Sequence, residues 1–333
     1  MTPSDFSKQL QRQNTLPSVL LFSGQEDFLA EQSFKKIEQS IEANFRSWDF
    51  VRSDMRDQSV PAVLQDVATM SFSGGRRFVI MDQPVFLTSK GSLEKQDEKI
   101  FLNYLQNPES ENTLIVNTVG IEIDKRKKIV KTLLKSGEQV DFEPLPEREV
   151  FKIVKRHLSL AHVLIADDVI NYYLRRLAFD LRLVMTNLDK LILFGVSGKA
   201  IGHEEINELV TAELNESAFD LVTEINRRHL DKALQLYVNL IDRGEAPIRI
   251  NALLQSQYRL LIQAKALSIN DTQLAQKLKI HPYRAKLANQ AVSVQTMPQL
   301  SNAYLDLAKI DFRLKSTTLD PTMLFEMFLS NNV

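Results

Sequence analysis

Gly24, Asp82 and the basic residues at 125–128 are where this sequence comes nearest to chemistry. The turn at Gly24 follows an apolar run, Val19-Leu20-Leu21-Phe22, and precedes a helical face of Phe34, Ile37, Ile41 and Phe45. Strand, turn and helix in that order form the setting of a phosphate-binding loop. Such a loop needs G-x-x-x-x-G-K-[ST], in which backbone N–H groups cradle phosphate, a lysine meets the outer phosphates and a hydroxyl holds Mg²⁺. Counted from Gly24, the last three positions hold Leu29, Ala30 and Glu31. Glu26 and Asp27 suit a helix N-terminus but repel phosphate. The turn is expected to bind no nucleotide, and no cofactor is expected elsewhere.

The second half of a nucleotide site would be an acid pair at a strand end. In Phe78-Val79-Ile80-Met81-Asp82-Gln83, Asp82 could hold Mg²⁺ through water, but Gln83 is an amide and cannot act as a base. The plain role for Asp82 is a turn or capping acid. His157, His162, His203, His229 and His281 fall in no metal-ligand spacing, and cysteine is absent, so neither a metal site nor a disulfide is expected. No Ser/His/Asp set or carboxylate pair follows from spacing, which leaves no candidate catalytic residue.

Binding surfaces are better represented. Ser59 followed by Pro61 starts a helix whose buried stripe is Val60, Val63, Leu64 and Val67. At about 100° per residue, Met70 lies roughly 70° and Phe72 roughly 130° from the centre of that stripe. Phe72 then faces away from its own core, with Gly74-Gly75 ending the helix and Arg76-Arg77 leading into the next strand. An aromatic ring presented there is an anchor for a partner's apolar pocket. Alternatively, the chain leaves helical geometry before Phe72 and the ring tucks under the strand. Lys125-Arg126-Lys127-Lys128, with Lys131 and Lys135, reads as a helix that meets phosphates or as a solvated face. Gln257-Tyr258-Arg259 and His281-Pro282-Tyr283-Arg284 similarly suit DNA, a neighbouring subunit or plain helix packing.

The elements that position these residues follow from the apolar pattern. The 333 residues exceed one core's usual span, so two or three domains are expected. Strands are expected at Val19 to Phe22, Trp48 to Arg52, Phe78 to Met81, Leu114 to Asn117 and Gln139 to Phe142, separated by helices, as in a parallel sheet covered on both faces. Two prolines in Glu143-Pro144-Leu145-Pro146-Glu147 mark a linker. Helices alone follow, short to about Ala212, with a turn at Gly195-Val196-Ser197-Gly198, and longer from Asn215 onward. The domains expected are an α/β domain at 1–142, a small helical domain at 143–212 and a larger helical domain at 213–333. With 41 basic and 42 acidic residues, the chain is no nucleic-acid coat by itself. A polar N-terminus and no apolar run near about 18 residues suggest a cytoplasmic location and no membrane span.

Several motifs in order resemble the delta subunits of the bacterial DNA polymerase III clamp loader. Leu21-Phe22-Ser23-Gly24-Gln25-Glu26-Asp27-Phe28-Leu29 is similar to the family's strand-Gly-acid-acid opening, and Ser71-Phe72-Ser73-Gly74-Gly75-Arg76-Arg77 to its aromatic-Gly-Arg-Arg segment. Asp180-Leu181-Arg182 through Leu188-Asp189-Lys190-Leu191 resembles its lid helix. Gly244-Glu245-Ala246-Pro247, Gln257-Tyr258-Arg259-Leu260-Leu261 and Asp311-Phe312-Arg313-Leu314-Lys315-Ser316 resemble its collar.

The resemblance implies an AAA+-like parallel five-stranded sheet with flanking helices, a helical lid and a helical collar that serves oligomerisation. It also implies a hetero-pentamer with tau/gamma ATPase subunits and delta prime, within the DNA polymerase holoenzyme, a nucleotidyltransferase complex. The chain would bind the beta sliding clamp and open its ring, and would meet primed DNA through the assembled complex, with no ATPase activity of its own. Carried over by position, Phe72 is the clamp-binding wedge, flanked by Met70 and Ser73. Ser73 departs from the family, which often has a second large apolar residue there, so Met70 or a neighbouring surface is expected to contribute more. An ATP-binding clamp loader subunit of the same fold and a nucleic-acid-processing enzyme are the alternatives. The first lacks a P-loop lysine and the second an acidic cluster for two metals.

Overall fold

Each apolar run of the first 142 residues forms a strand of one sheet: β1 (Val19–Gly24), β2 (Phe50–Asp54), β3 (Phe78–Asp82), β4 (Thr113–Asn117) and β5 (Glu138–Phe142). In the computed structural model, which describes residues 1–11, 16–108, 111–210 and 214–332, the strand order is β2-β3-β4-β1-β5. All neighbours run parallel, with Leu21 opposite Val116, Phe22 opposite Val140, and Ile80 opposite both Arg52 and Ile115. This is the expected parallel five-stranded sheet.

Helices α1 (Pro3–Leu10), α2 (Asp27–Ser40), α3 (Arg46–Asp49), α4 (Val60–Ala68), α5 (Lys95–Gln106) and α6 (Lys128–Ser136) accompany it. Because successive strand residues point to opposite faces, β1 divides its side chains between two cores. Val19 and Leu21 join Val63, Val67, Phe101 and Leu133 of α4, α5 and α6, whereas Leu20 and Phe22 join Phe6, Phe34 and Ile37 of α1 and α2. Burial on both faces is why the strands read as continuous apolar runs.

Three local expectations are corrected. Trp48 is not in a strand: α3 closes with the Phe50 N–H on the Arg46 carbonyl, and β2 begins only at Phe50. Ile41 and Phe45 lie beyond the end of α2, one extended and one in a 3-10 turn, yet both still reach the core beneath β1. The helix from Val60 ends at Ala68, where the Thr69 N–H returns to the Asp66 carbonyl, so Met70 to Ser73 are not helical.

The chain divides into two compact units, Met1–Leu145 and Pro146–Val333, with the boundary inside the two-proline segment. The second unit holds α7 (Glu147–Leu160), α8 (Asp167–Arg176), α9 (Leu181–Val196), α10 (His203–Leu209), α11 (Leu214–Asn226), α12 (Leu230–Asp242), α13 (Pro247–Leu267), α14 (Asp271–Leu278), α15 (Pro282–Val292), α16 (Met297–Ser316) and α17 (Pro321–Asn331), with no strand among its described residues. Its main core joins Leu254, Tyr258 and Leu261 of α13 to Leu300 and Leu307 of α16 and Phe325 and Phe328 of α17.

The helix α9 runs through Gly195 and Val196, which were expected in a turn. A Cβ at Gly195 would sit 2.5 Å from a Val163 methyl, so the glycine serves packing, and the turn comes later with Gly198 at φ +81°. The expected boundary between residues 212 and 213 lies outside the described residues. Among the described residues no helix is long and apolar enough to cross a membrane.

Candidate functional site

Gly24 closes β1 at the carboxyl edge of the sheet with φ +116°, and a Cβ there would lie 2.3 Å from the Phe142 carbonyl oxygen. That approach needs glycine. The N–H groups of Gln25 and Glu26, placed where phosphate would be cradled, both donate to that oxygen at 2.9 and 2.8 Å. Ala30 is buried in the core under β1, and Leu29 packs against it.

Glu31, at the position of the Mg²⁺-binding hydroxyl, accepts two hydrogen bonds of 3.0 Å from the Arg52 guanidinium. Arg52 Nε reaches Asp82 Oδ2 at 2.7 Å, Asn117 Nδ2 donates to the other Asp82 oxygen at 2.7 Å, and the guanidinium carbon lies 4.6 Å from the centre of the Phe34 ring. Burial would pull the Arg52 pKa down, but its bonds to Glu31 and Asp82 prevail and hold it above its ordinary value. The residues predicted to mark a degenerate nucleotide site, Gly24, Glu31 and Asp82, are therefore engaged in backbone packing and one ion-pair network. Asp82 has a structural role, as expected, but as the cross-strand partner of Arg52 and Asn117 instead of a turn or capping acid.

The turn at Met70–Ser73 sits at the opposite, amino-terminal edge, because it precedes β3. Phe50 and Thr113 pair with Phe78 across the sheet, so the residues just before β2 and β4 arrive beside it. From the β2 side comes Asp49, fully buried at 0% exposure. Its carboxylate accepts the Phe72 N–H and the Ser73 N–H at 2.9 Å each and the Ser71 hydroxyl at 2.7 Å. With the Ser71 proton committed to Asp49, Ser73 Oγ donates to Ser71 Oγ at 2.9 Å and itself accepts the Gly75 N–H at 3.4 Å.

Burial alone would raise the Asp49 carboxyl, but the bonds from Ser73, Phe72 and Ser71 outweigh it and hold the group below the usual carboxylate value. From the β4 side comes Asn112, whose amide donates to the Val67 and Thr69 carbonyls at 2.6 and 2.9 Å and accepts the Arg77 N–H at 3.1 Å. It ties the end of α4 to the start of β3. Arg77 itself is buried against Asp66, and Arg76 bonds to Asn112 and Thr113.

These braces leave Met70 78% and Phe72 54% exposed. The expectation that Phe72 faces outward is met for a different reason than helical phase: the helix has already ended, and Asp49 holds the turn that presents the ring. The alternative was right about the helix and wrong about the ring, which does not tuck under the strand. Ser73, expected beside Phe72 at the surface, turns its hydroxyl into the brace. Sequence reasoning missed Trp48, 56% exposed, whose ring lies 5.2 Å from that of Phe72. Its adjacency to Asp49, an acid beside an aromatic just before a strand, was the available signal.

The basic run is not wholly helical, since α6 begins at Lys128. Arg126 pairs with Asp124 at 2.8 Å, and Lys127 donates to the Phe86 and Gly91 carbonyls, which leaves Lys125, Lys128, Lys131 and Lys135 at the surface. Gln257 and Tyr258 are buried, and Arg259 meets the Tyr304 hydroxyl at 3.0 Å, so that trio packs helices. His281 caps α15 by accepting the Tyr283 N–H, and burial holds its imidazole below the ordinary value. Among the described residues no group of three or more metal-ligating side chains gathers.

Two family models match. "DNA polymerase III, delta subunit" covers residues 20–143, and "DNA polymerase III delta subunit, C-terminal domain" covers residues 215–332. DNA polymerase III subunit delta of Bacillus subtilis is 25% identical over 331 residues, 98% of this chain and 95% of that one. A probable DNA polymerase III subunit delta of Aquifex aeolicus is 20% identical over 323 residues, 95% and 91% of the two chains. Among solved structures, the DNA clamp loader delta protein of Bacillus subtilis superimposes with a TM-score of 0.75 at 24% identity, over 99% of this chain and 98% of that one.

Proposed function

The chain belongs to the DNA polymerase III delta subunit family, and from that premise we propose that it binds the ring-shaped sliding clamp through Met70, Phe72 and Ser73 and holds the ring open for loading onto primed DNA. The observation that carries this reading is the apolar turn itself. Met70 and Phe72 are kept in solvent by a buried carboxylate and its three hydroxyl and amide donors, and such a rigid turn loses little entropy when a pocket closes over it.

Opening follows from differential affinity. A clamp interface strained in the closed ring shifts toward the open form only as far as this subunit binds the open form better. Burial of Phe72, worth roughly 2–3 kcal/mol, supplies part of that preference. Ser73 contributes by shaping the turn more than by contact.

ATP enters through neighbours. The Gln25 and Glu26 amides are engaged by Phe142, and Arg52 fills the space between Glu31 and Asp82, both of which support a subunit that neither binds nor hydrolyses nucleotide. The same arrangement disfavours an ATP-binding subunit of the same fold. In this reading the subunit works in the cytoplasm in a hetero-pentamer with tau/gamma ATPases and delta prime. Residues 143–212 act as the lid and 213–333 as the collar, and primed DNA is reached through the assembled complex.

The test is release of clamp from nicked circular DNA by the isolated chain without ATP. Wild type is expected to accelerate release and Phe72→Ala to lose the effect. A folded Phe72→Ala variant that releases clamp as wild type does would reject the assignment.

A further inference from the structure

Trp48, the single tryptophan of the chain, stands on the four-residue helix α3 and keeps 56% of its surface in solvent. Its ring centre lies 5.2 Å from that of Phe72, with the planes at 40°. Contact of this kind favours the pair, yet each residue keeps more than half of its surface in solvent. The placement is built. Asp49, the residue after Trp48, accepts the Phe72 and Ser73 N–H groups and the Ser71 hydroxyl, so one buried carboxylate fixes both the backbone of Phe72 and the end of the helix that carries Trp48.

We propose that Trp48 is the second half of an aromatic anchor, supplying the large apolar group that the chain lacks at Ser73, and that the clamp receives Trp48 and Phe72 as one surface. This rests on the reading of Met70–Ser73 as the clamp-binding turn. The occupant follows from continuity: a pocket that covers the Phe72 ring cannot avoid a second ring 5.2 Å away. Partly exposed tryptophans at the centre of such patches carry a large share of binding energy.

The test measures the affinity of full-length wild type, Trp48→Ala, Phe72→Ala and the double variant for purified sliding clamp, with a thermal melt of each. Trp48→Ala is expected to weaken binding at least about tenfold with an unchanged melt. The double variant is expected to lose less than the product of the two single losses, because the rings share a contact. Trp48 emission in the wild type is expected to shift to shorter wavelength when clamp is added.

If Trp48→Ala binds as wild type while Phe72→Ala is weakened, the inference is overturned and the clamp-binding turn stands. If both bind as wild type, the turn itself is misassigned. Should Trp48→Ala also lower the melt, the wild-type emission decides: no shift on saturation with clamp would overturn the inference.

Discussion

Asp49 shows how one buried charge shapes an exposed turn. An isolated carboxylate out of water is costly, but this one accepts two N–H groups and a hydroxyl. Asp49→Asn removes the charge and turns an amide toward donors, with an expected loss of about 2 kcal/mol and weaker clamp binding although no ring is deleted. The pH dependence has a definite sign. Asp49 titrates below its ordinary value in the fold, so its contribution is complete above about pH 4, the unfolded value, and is lost as pH falls through the lower folded value. Denaturant midpoints of wild type and Asp49→Asn should differ fully at pH 7 and converge toward pH 3. A gap that stays constant across that range would show that the charge is not what braces the turn.

At the level of elements, β2 lies at the edge of the sheet and organises both ends of the domain. Before its first residue stand Trp48 and Asp49, and at its middle Arg52 joins Glu31 of α2 to Asp82 of β3. Arg52→Met leaves two carboxylates without their cation. Because the Arg52 side chain is 36% exposed, solvent screens the loss, and a decrease of about 1–2 kcal/mol in unfolding free energy is expected, read from urea denaturation.

Sequence patterning found all five strands because burial on both faces writes itself as apolar runs. It misplaced Trp48 because β-propensity favours aromatics, while the turn made by Arg46–Asp49 and the anchoring of Asp49 decided the local backbone. It also extended α4 to Gly74, since nothing local reveals that Asn112, more than forty residues on, bonds to the carbonyls at its end. The absent P-loop residues were legible at Leu29, Ala30 and Glu31. That an arginine from β2 would occupy the gap was not, because the partner comes from another strand.

Across the whole molecule, an α/β unit in which Arg52 bridges Glu31 and Asp82 is joined to a helical unit with its own core. With the proposed absence of nucleotide binding, Mg²⁺ and ATP are expected to leave the clamp affinity of the isolated chain unchanged, and calorimetric titration with ATP is expected to give no binding heat at micromolar concentrations. ATP-dependent clamp binding by this subunit alone would contradict the division of labour proposed for it. The net charge of −1 agrees with a protein that reaches DNA within an assembly.

The central claim is that the exposed turn at Met70–Ser73 is where the clamp is held. Its most direct test is the dissociation constant of the purified chain for the sliding clamp, measured for wild type and Phe72→Ala with both shown to be folded. The account predicts a loss of roughly thirty- to a hundred-and-fiftyfold for Phe72→Ala, the equivalent of about 2–3 kcal/mol. Equal affinity of the two proteins would contradict it.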